Sequence, residues 1–375
     1  MILHGRCFQD GSAFRGVGRY ARGLLHGFAE LRAEGVELAI ALDRDSAVRG
    51  GSLAEVAPDG RLFGAPVQLL PLDLRRFGWR RGRVLDAALQ SLGADLLHVP
   101  AQFYVYQRIR IATPCVINVH DLIPFHAPAT RRWIRHRASR LRRLAQFCRR
   151  ARRVIALSQY GAEQCRDLLG IDPSRIAVIP PGVERHFGVE PRDDAATLGR
   201  HALERPYFLY VGGDDPHKNL AVLLEAFRRF READTGGHEL VLVGRHQTAA
   251  GTSDARIRRL GFVADADLPA LYRGARGCIS LSRHEGFALP ILEAMACGTP
   301  IVAARAAAMP ETLGGAGLLA DPADPADAAR CMLLLVREPS LWLELREHGL
   351  KRAAGFSWER TAAATLDAYR SALER

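Results

Sequence analysis

Lysine is almost absent from this chain. Of its 52 basic residues, only Lys218 and Lys351 are lysine. The two cations are not equivalent, because an ammonium is a compact point charge whereas a guanidinium is a planar fork. Lys218 stands after a glycine pair at the start of a helical pattern, whereas Lys351 lies on a late helix without such a context. Lys218 is therefore a candidate phosphate ligand, and a chance leftover in an arginine-rich composition is the alternative.

Paired cysteines and long apolar runs are also missing. The seven cysteines are scattered, their number is odd and no CxxC occurs. This argues against a disulfide framework or a zinc site and fits a reducing cytoplasm. No apolar run reaches the length of about eighteen residues that a membrane-spanning helix needs. The first residues predict a strand rather than a signal peptide, and a length of 375 residues suggests two to three domains.

Acidic residues are missing between Arg131 and Arg153. This segment holds eleven arginines, so its own charge of +11 equals the formal net charge of the whole chain. Apolar residues from Ile134 to Cys148 recur at spacings of three and four, which predicts a helix with one face on a core. The arginines on its other faces favour contact with an anionic surface, most simply the inner face of the cell membrane. A solvated helix is the alternative. Nucleic acid is disfavoured because few aromatic residues are interleaved.

Strand and helix patterns alternate along the chain. In the first half, short apolar segments are separated by helical patterns such as 17–34, and a second series begins at Tyr207 and ends with a helix over 358–373. This alternation predicts α/β domains with parallel, doubly wound sheets. The polar stretch 188–205 suggests a connection between domains. The segments predicted as strands in the first half are 2–7, 36–42, 96–99, 115–119, 154–157 and 176–179.

The richest stretch covers residues 283–300 and reads RHEGFALPILEAMACGTP. Glu285 and Glu293 flank a small-residue loop and the first turn of a helix, in which Pro290 suits the first position. The backbone amides of residues 286–289 would point outward and form an anion site for a diphosphate. Glu285 can then reach a neutral polyol, and Glu293 can accept hydrogen bonds from two adjacent hydroxyls. Sugar hydroxyls, phosphates and a ribose diol are the groups of a nucleotide sugar. An ordinary strand–loop–helix is the alternative.

This stretch resembles the E-G-F-G-L-P-x-x-E signature of retaining glycosyltransferases of family 4, which have the GT-B fold. The resemblance covers nearly the whole chain and implies two Rossmann-like doubly wound domains facing a central cleft. It implies an acceptor domain over 1–187, completed by a terminal helix over 357–375, and a donor domain over 188–356. Donor contacts are implied at the residues of the loop itself, Glu285, Gly286, Phe287, Ala288, Leu289 and Glu293.

One residue departs from this signature. Ala288 stands where the family more usually has glycine. Because the additional methyl group narrows the approach to the sugar, we expect it to bear on donor choice more than on reaction type.

A second motif, YVGGDDPHKN, covers residues 210–219. It ends a strand and opens a helix that Asp214 or Asp215 caps, with Pro216 in the first turn. It resembles the family motif V-G-x-x-x-P-R-K-N, whose lysine binds the donor phosphates and stabilises the departing nucleotide. The resemblance implies donor contacts at three of its residues, Gly212, His217 and Lys218.

In this motif His217 replaces the more common arginine, which weakens one phosphate contact or makes it pH-dependent. The helix expected over 218–233 and the helix expected at Pro290 would direct two N-termini at the same diphosphate.

A glycine loop, FRGVGRY, follows the first strand. Glycine lets a backbone approach a bound group closely, and the family has a glycine loop at this place, which faces donor and acceptor. The implied roles are donor binding for Gly16 and acceptor binding for Arg15, Gly18 and Arg19, with surface arginines as the alternative.

Two further segments resemble the family. His120 ends a strand within NVHDLIP and matches the histidine beside the transferred sugar, while Asp121 orients it or caps the next turn on the acceptor side; a satisfied strand-end histidine is the alternative. In LGFVADADLPALY, the main chain near Phe262 and Val263 is implied to bind the nucleobase. We expect the side chains of both residues to lie in the core.

No metal and no cofactor are expected. The DxD pairs at 43–45 and 265–267 match a pattern that holds a divalent metal in another glycosyltransferase architecture. Lys218, together with the helix N-termini, already supplies positive potential to a leaving diphosphate. We therefore interpret both pairs as strand-end or turn aspartates.

The sequence thus predicts a metal-independent, retaining glycosyltransferase with His120, Lys218 and Glu285 as catalytic residues. Resemblance to bacterial surface-polysaccharide and O-antigen mannosyltransferases implies GDP-mannose as donor and a glycan or polyprenyl-linked glycan as acceptor. The expected location is the cytoplasm, peripheral on the cell membrane. A UDP-sugar 2-epimerase of the same architecture and a catalytically silent scaffold are the alternatives.

Overall fold

The computed structural model of the protein describes residues 1–8, 16–31, 37–43, 61–62, 65–66, 68–72, 81–102, 111–126, 131–246 and 254–374. They divide into two compact units. The first, unit 1, is Met1–Gly182 together with Ser357–Arg375, and the second, unit 2, is Val183–Phe356. The chain leaves unit 1 at Gly182, whereas the sequence placed that boundary at residue 187.

Unit 1 is built on a seven-stranded parallel sheet with the strand order β5-β2-β1-β6-β7-β8-β9. The first strand lies inside the sheet and the order reverses beside it, which defines a doubly wound topology. Every residue of β7 is buried, as expected for a parallel strand covered on both faces. The strands are β1 (Ile2–His4), β2 (Ala39–Asp43), β5 (Gln68–Leu72), β6 (Leu97–Val99), β7 (Cys115–Val119), β8 (Arg153–Ala156) and β9 (Ile176–Val178), while β3 (Arg61–Leu62) and β4 (Ala65–Pro66) form a separate antiparallel pair.

Unit 2 repeats this plan with a six-stranded parallel sheet in the order β12-β11-β10-β13-β14-β15. Its first strand is again internal, and the aliphatic and aromatic side chains of the central strands form one core with the helices that cover them. The strands are β10 (Tyr207–Val211), β11 (Glu239–Val243), β12 (Ile257–Gly261), β13 (Gly277–Ser280), β14 (Ile301–Ala304) and β15 (Leu318–Ala320). The α/β fold class predicted from the sequence is confirmed.

Twelve α-helices are found in the described part of the chain. Those of unit 1 are α1 (Gly16–Glu30), α2 (Arg81–Ser91), α3 (Arg131–Arg150), α4 (Gln159–Leu169) and the terminal α12 (Trp358–Leu373). Those of unit 2 are α5 (Asp194–Arg200), α6 (Leu220–Ala233), α7 (Leu268–Gly274), α8 (Leu289–Ala296), α9 (Met309–Leu313), α10 (Pro325–Arg337) and α11 (Pro339–Ala353).

The terminal helix α12 packs on α1 of unit 1. Its N-cap is Ser357, whose hydroxyl accepts from the backbone N–H of Arg360 at 3.3 Å. The indole of Trp358 lies so close to α1 that a Cβ at Gly23 would come within 2.0 Å of the ring. Glycine at this position is therefore required by the close approach of the two helices.

The stretch 188–205 does not connect the two units, which corrects the sequence-based interpretation. It contains α5 and belongs to unit 2. The guanidinium of Arg273 donates to both carboxylate oxygens of Asp194, at 2.7 Å and 2.6 Å. This bidentate ion pair fixes a segment whose polar composition suggests a linker.

The sequence predicts neither a membrane-spanning helix nor a disulfide framework. Within the described ranges no helix is both long enough and apolar enough to cross a bilayer. None of the seven cysteines forms a disulfide bond, and all of them are buried. Burial raises the pKa of the Cys165 and Cys297 thiols to about 12, so they behave as small apolar side chains.

Candidate active site

Lys218 lies at the carboxyl edge of the unit 2 sheet. It ends a short 3₁₀ turn, Pro216–Lys218, between β10 and α6. Asn219 follows in the left-handed conformation with φ 60°, which asparagine tolerates better than most residues. Its side-chain amide donates to the carbonyls of Leu281 at 3.0 Å and Pro322 at 2.7 Å. Asn219 thus anchors the turn that carries Lys218.

The helix after this turn begins later than the sequence indicated. The α-helix begins at Leu220, with Asn219 as its N-cap, and the side chain of Asp215 makes no capping hydrogen bond. The left-handed residue interrupts the helical path, so the 3₁₀ turn and α6 are separate elements. Lys218 therefore stands before the helix rather than in its first turn.

The two motifs meet through an ion pair. The Nζ atom of Lys218 lies 2.6 Å from Oε1 of Glu285, and the two side chains are 22% and 13% exposed. A backbone hydrogen bond of 2.8 Å from the N–H of Arg283 to the carbonyl of His217 ties the same two loops together. Segments separated by 67 positions thus form one site, and its ammonium and carboxylate lie at the edge where parallel α/β sheets bind ligands.

His217 adds a titratable group beside this pair. Burial lowers its pKa below the ordinary histidine value, and the charge of Lys218 lowers it further, whereas Glu285 and Asp215 oppose the shift. The imidazole is therefore neutral near pH 7, and Lys218 is the cation of this turn.

The loop before α8 turns at Ala288. This residue is buried and has φ 68° and ψ 66°, the left-handed region, where an L-residue other than glycine is strained. Its carbonyl accepts from the N–H of Ile291 at 3.0 Å, which starts the helix. The carbonyl of Phe287 accepts from the hydroxyl of Thr312. These two hydrogen bonds hold the loop in place. Gly286 and Phe287 are buried in it, and Leu289 is half-buried.

Glu293 lies deeper than the sequence suggested. Since α8 begins at Leu289, Glu293 is in its second turn and not in its first, and Pro290 is its second residue. The side chain is buried with 2% exposure, and its Oε2 accepts from the Tyr272 hydroxyl at 3.0 Å. A buried polar side chain needs hydrogen-bond partners, and the hydroxyl of Tyr272 provides one that orients Glu293.

The segment after β12 corrects another expectation. Val263 is buried, as expected, but Phe262 is 75% exposed and is not a core side chain. The cause is the strand end at Gly261, because the next residue projects beyond the sheet. Val211, Val243 and Gly261 lie in register on three adjacent strands.

The residues that follow these three strands therefore stand in one row along the sheet edge. Gly244 N–H donates to the Gly261 carbonyl at 2.7 Å, and Gly212 N–H donates to the Val243 carbonyl at 2.9 Å. Gly244 has φ 124°, and a Cβ there would lie 1.9 Å from the Gly212 carbonyl oxygen. Glycine at position 244 thus allows the backbones at the ends of β10 and β11 to lie in close contact at the site.

In unit 1, His120 follows the last residue of β7 and is buried. Its Nε2 donates to the carbonyl of Pro100 at 2.6 Å. Burial lowers the pKa of this imidazole to about 4, although the Pro100 carbonyl favours the charged form. Asp121 accepts from the N–H of Ile123 at 3.0 Å through Oδ1 and so caps the following turn.

The glycine loop is described in part. Gly16 is the exposed first residue of α1, Gly18 is buried within it, and Arg19 is half-buried. Arg15 lies outside the described residues.

Of the two DxD pairs, the structure describes residues 265–267 and Asp43. The Asp267 carboxylate accepts from Arg200 at 2.8 Å and His201 at 3.1 Å. Asp43 is the last residue of β2, and Asp45 is outside the described residues. Across the described ranges, no group of three or more His, Cys, Asp or Glu side chains is placed to hold a metal ion.

Three positioning residues were missed from the sequence, namely Asn219, Tyr272 and Thr312. Asn219 directly follows the candidate lysine, and its tolerance of left-handed backbone was a usable signal. Tyr272 ends the motif LGFVADADLPALY and Thr312 lies in none of the motifs. The roles of both depend on groups 21 and 25 positions away, which a local pattern does not reveal.

Comparison with known proteins identifies the family to which this architecture belongs. Residues 14–187 match Glycosyltransferase Family 4, and residues 205–338 match Glycosyl transferases group 1. The O-antigen chain mannosyltransferase B of Escherichia coli is 30% identical over 95% of this chain and 96% of its own length. The chain belongs to glycosyltransferase family 4.

Two other similarities concern longer or more distant proteins. The serotype-specific mannosyltransferase WbdA of Escherichia coli is 26% identical to this glycosyltransferase over 77% of the chain, which spans 38% of WbdA. The structure of Anabaena Alr3699/HepE in complex with UDP superimposes with a TM-score of 0.74 at 19% identity, covering 99% of both chains. This likeness confirms the GT-B fold of the glycosyltransferase.

Proposed function

We propose that this glycosyltransferase moves mannose from GDP-mannose to a glycan or polyprenyl-linked glycan acceptor, with retention of anomeric configuration, in bacterial surface-polysaccharide synthesis. The observation that carries the proposal is the Lys218–Glu285 pair of 2.6 Å, which joins the two donor motifs at one sheet edge. The similarity to an O-antigen mannosyltransferase over nearly the whole chain supports mannose and a surface glycan. The UDP complex of a protein with the same fold supports a nucleotide-linked donor.

The donor diphosphate would lie against Lys218 and the N-terminus of α8, where the ammonium and free backbone N–H groups stabilise negative charge. Departure of the nucleotide needs this stabilisation as charge develops on the leaving phosphate. Because the chain itself supplies a cation there, we propose that no metal takes part. Glu285 then turns from Lys218 toward the sugar hydroxyls, and Glu293 accepts from the ribose.

The remaining roles follow the edge of the sheet. Gly212 follows β10, and the backbone at Phe262 and Val263 follows β12, on the other side of β11. A nucleoside extended along this row would place its base at Phe262. In unit 1, the neutral His120 would accept a hydroxyl of the transferred sugar rather than donate a proton. Arg15, Gly18, Arg19 and Asp121 are proposed for the acceptor.

A membrane partner is proposed for α3. Leu144, Ala145 and Cys148 of this helix pack into the unit 1 core, whereas Arg142 and Arg150 are exposed. Anionic lipid attracts exposed cations close to its surface by about 1 kcal/mol each. The cationic face would hold the enzyme at the inner face of the cell membrane, where a lipid-linked acceptor is found.

Some arginines of the segment serve the fold instead. Arg149 donates from Nε to the carbonyl of Leu169 at 3.0 Å. Arg153 donates to the Ser371 hydroxyl of α12. These contacts reduce the number of charges that the segment offers to a membrane.

Nucleotide binding and turnover test the proposal. GDP should raise the melting temperature more than UDP or ADP, and GDP-mannose should be consumed when a lipid-linked acceptor is added. Lys218→Ala should weaken GDP binding by about tenfold or more, because a charge-assisted phosphate contact contributes roughly 1.5–3 kcal/mol. Lys351→Ala, the other lysine and exposed on α11, is the matched control and should bind GDP as the wild type does.

Three outcomes would contradict this function. Absence of any thermal shift with nucleoside diphosphates would exclude a donor site. Conversion of a UDP-sugar to its epimer without acceptor would favour the epimerase. Nucleotide binding without turnover of any sugar nucleotide would favour a silent scaffold.

Liposome co-sedimentation tests the membrane proposal. Arg142→Gln combined with Arg150→Gln should reduce binding to anionic vesicles, and added salt should reduce it in the wild type. The control is Arg228→Gln on α6, an exposed arginine of unit 2, which should leave binding unchanged. Equal binding to neutral vesicles would rule out the electrostatic account.

A further inference from the structure

Gln102 is a polar residue with 0% exposure, three positions after the end of β6. Both the oxygen and the nitrogen of its side-chain amide form hydrogen bonds with one neighbouring segment. The backbone N–H of His120 donates to Oε1 at 3.0 Å, and Nε2 donates to the carbonyl of Asp121 at 2.7 Å. Since an N–H donates and a carbonyl accepts, these two partners determine the orientation of the amide.

This amide continues the pairing of β6 with β7 beyond the strands. The last backbone pair of the two strands is Val99 with Ile117. Beyond it, the Gln102 side chain supplies one acceptor and one donor to two successive residues, as a strand backbone does. The turn at 120–121 is thereby held to the sheet edge although regular pairing has ended.

The same segment holds the imidazole ring of His120. The Pro100 carbonyl accepts from Nε2 at 2.6 Å, and the Tyr20 ring stands edge-on with a centroid separation of 4.9 Å. Because a carbonyl only accepts, Nε2 carries the ring proton, and Nδ1 of the neutral ring is then an acceptor. Residues 100–102 therefore fix both the backbone and the tautomer of His120.

We propose that Gln102 is a positioning residue for glycosyl transfer, whose amide holds the His120–Asp121 turn so that Nδ1 of His120 accepts a hydroxyl of the transferred sugar. The inference rests on the proposed function, in which His120 lies beside that sugar. Gln102 acts through His120 and does not itself take part in the chemistry. A displacement of about 1 Å in a positioned group can cost about 100-fold in rate.

Replacement by leucine tests the role. Gln102→Leu removes both hydrogen bonds at similar volume, and we expect kcat for transfer to fall about 100-fold. The dissociation constant for GDP should stay within about twofold, because the GDP site is proposed in unit 2 whereas Gln102 lies in unit 1. If Gln102 had a purely structural role, the variant would instead have a lower active fraction and a lower melting temperature. It would not combine a reduced kcat with unchanged GDP affinity.

Asp86→Ala is the matched control. Asp86 accepts from the N–H of Ala112 at 2.9 Å, before the start of β7. Its loss also removes a tertiary hydrogen bond from unit 1, but at the opposite end of that strand from His120. We expect kcat of this variant to remain near the wild-type value.

Gln102→Glu provides a rescue that does not depend on the leucine variant folding. A protonated carboxyl offers the same acceptor and donor as the amide, whereas a carboxylate faces the Asp121 carbonyl with repulsion. Burial raises the pKa of such a carboxyl. The ratio of the variant's kcat to that of the wild type should therefore rise as pH falls from 8 to 6.

Two failures are distinguishable. If the wild type transfers sugar and Gln102→Leu has the same kcat as Asp86→Ala, or the Glu variant shows a flat ratio, the positioning role is wrong and the proposed function stands. If the wild type transfers no sugar from any nucleotide donor, the proposed function is wrong and the inference falls with it.

Discussion

At the scale of single residues, His217 distinguishes this phosphate site from the arginine-containing motif it resembles. Its backbone carbonyl accepts from the N–H of Arg283, so the turn that carries His217 and Lys218 is held to the loop at Arg283. The shifted pKa of its imidazole leaves it neutral at pH 7, and it gains charge only on acidification or when an anion binds.

We predict that GDP affinity depends on pH through His217. Its pKa is lowered in the free enzyme, first by burial and then by Lys218, and a bound diphosphate raises it again. Protons are therefore taken up on binding, and affinity increases as pH falls through the window between the two pKa values. His217→Arg should bind GDP more tightly at pH 8 and lack this dependence.

Calorimetry at pH 8 and pH 6 measures this effect as a ratio of dissociation constants, wild type to His217→Arg. The titration of GDP itself is common to both proteins and cancels. We expect the ratio to fall about three- to fivefold for a pKa shift of about one unit, because the full tenfold is reached only below both pKa values. A constant ratio would show that the imidazole makes no contact with the phosphates.

Ala288 shows why a motif position has its usual residue. Its φ of 68° lies where glycine is unstrained, so the family preference for glycine has a backbone cause besides any effect on the donor. We predict that Ala288→Gly changes the free energy of unfolding by less than about 1 kcal/mol, because relief of strain is offset by chain entropy.

Ala288→Val should cost about 2 kcal/mol or more, since a β-branched residue is disfavoured at positive φ. Chemical denaturation of both variants checks the pair. A valine variant as stable as the glycine variant would contradict the left-handed conformation.

At the scale of elements, a buried histidine joins α12 to the unit 1 sheet. His98 has 0% exposure, its Nε2 donates to Oδ1 of Asn118 at 2.5 Å, and its Nδ1 accepts from the Tyr369 hydroxyl at 2.6 Å. Burial lowers its pKa to about 4. The neutral ring satisfies both partners, so the contact between α12 and β6 requires an uncharged imidazole.

We predict that unit 1 is destabilised by mild acid. The folded pKa of His98 lies below the ordinary value of 6.5, so the unfolded chain binds the proton more tightly. Stability from this group is present above about pH 6.5 and is lost as pH falls toward 4. Its contribution changes by on the order of 2 kcal/mol between pH 7 and pH 5.

Melting temperatures at pH 7 and pH 5 test this prediction. The wild type should lose stability over this interval, and His98→Gln, which is less stable at pH 7, should lose about half as much. His120, whose pKa is lowered in the same way, accounts for the remainder. An unchanged pH slope in the variant would mean that His98 is not buried as a neutral ring.

At the scale of the whole molecule, the last helix completes the first unit of the chain. α12 contributes Trp358 and Tyr369 to the packing of unit 1, and the Thr361 hydroxyl donates to the Pro180 carbonyl at 2.8 Å. Folding of unit 1 therefore depends on residues that follow the unit 2 segment in the sequence.

We predict that deletion of residues 357–375 unfolds unit 1 but leaves GDP binding to unit 2 within about threefold. The reason is that Lys218, Glu285 and Glu293 lie within Val183–Phe356, as do the contacts that hold them. Circular dichroism and calorimetry of the truncated protein provide the measurement. Deletion of Glu374 and Arg375, which follow α12, is the control and should have no effect; loss of GDP binding in the longer deletion would show that unit 2 does not fold alone.

Much of the architecture was predictable because apolar periodicity is local. The central strands β7, β10 and β11 are largely apolar runs, and the helices on them have one apolar face. The strands missed from the sequence are the two-residue strands β3 and β4, and also β5, β12 and β15. Their patterns are weak, since β12 contains two arginines and is only half-buried, β5 contains a proline, and β15 has three residues.

The candidate site was predictable in its residues but not in its geometry. Lys218, Glu285 and Glu293 stood out from their motifs, yet the ion pair, the depth of Glu293 and the exposure of Phe262 did not. These depend on where strands end and on partners far along the chain, such as Tyr272. Propensity and periodicity carry no such long-range information.

The sequence by itself determined the fold class, the family resemblance and the residue types at the donor site, because each rests on a short-range pattern. Only the tertiary structure decided which of these residues touch. Burial and register bring Lys218 to Glu285, place Tyr272 on Glu293 and hold His120 between Pro100 and Gln102. Those contacts set protonation and orientation, and both arise from folding, which removes water and brings distant segments together.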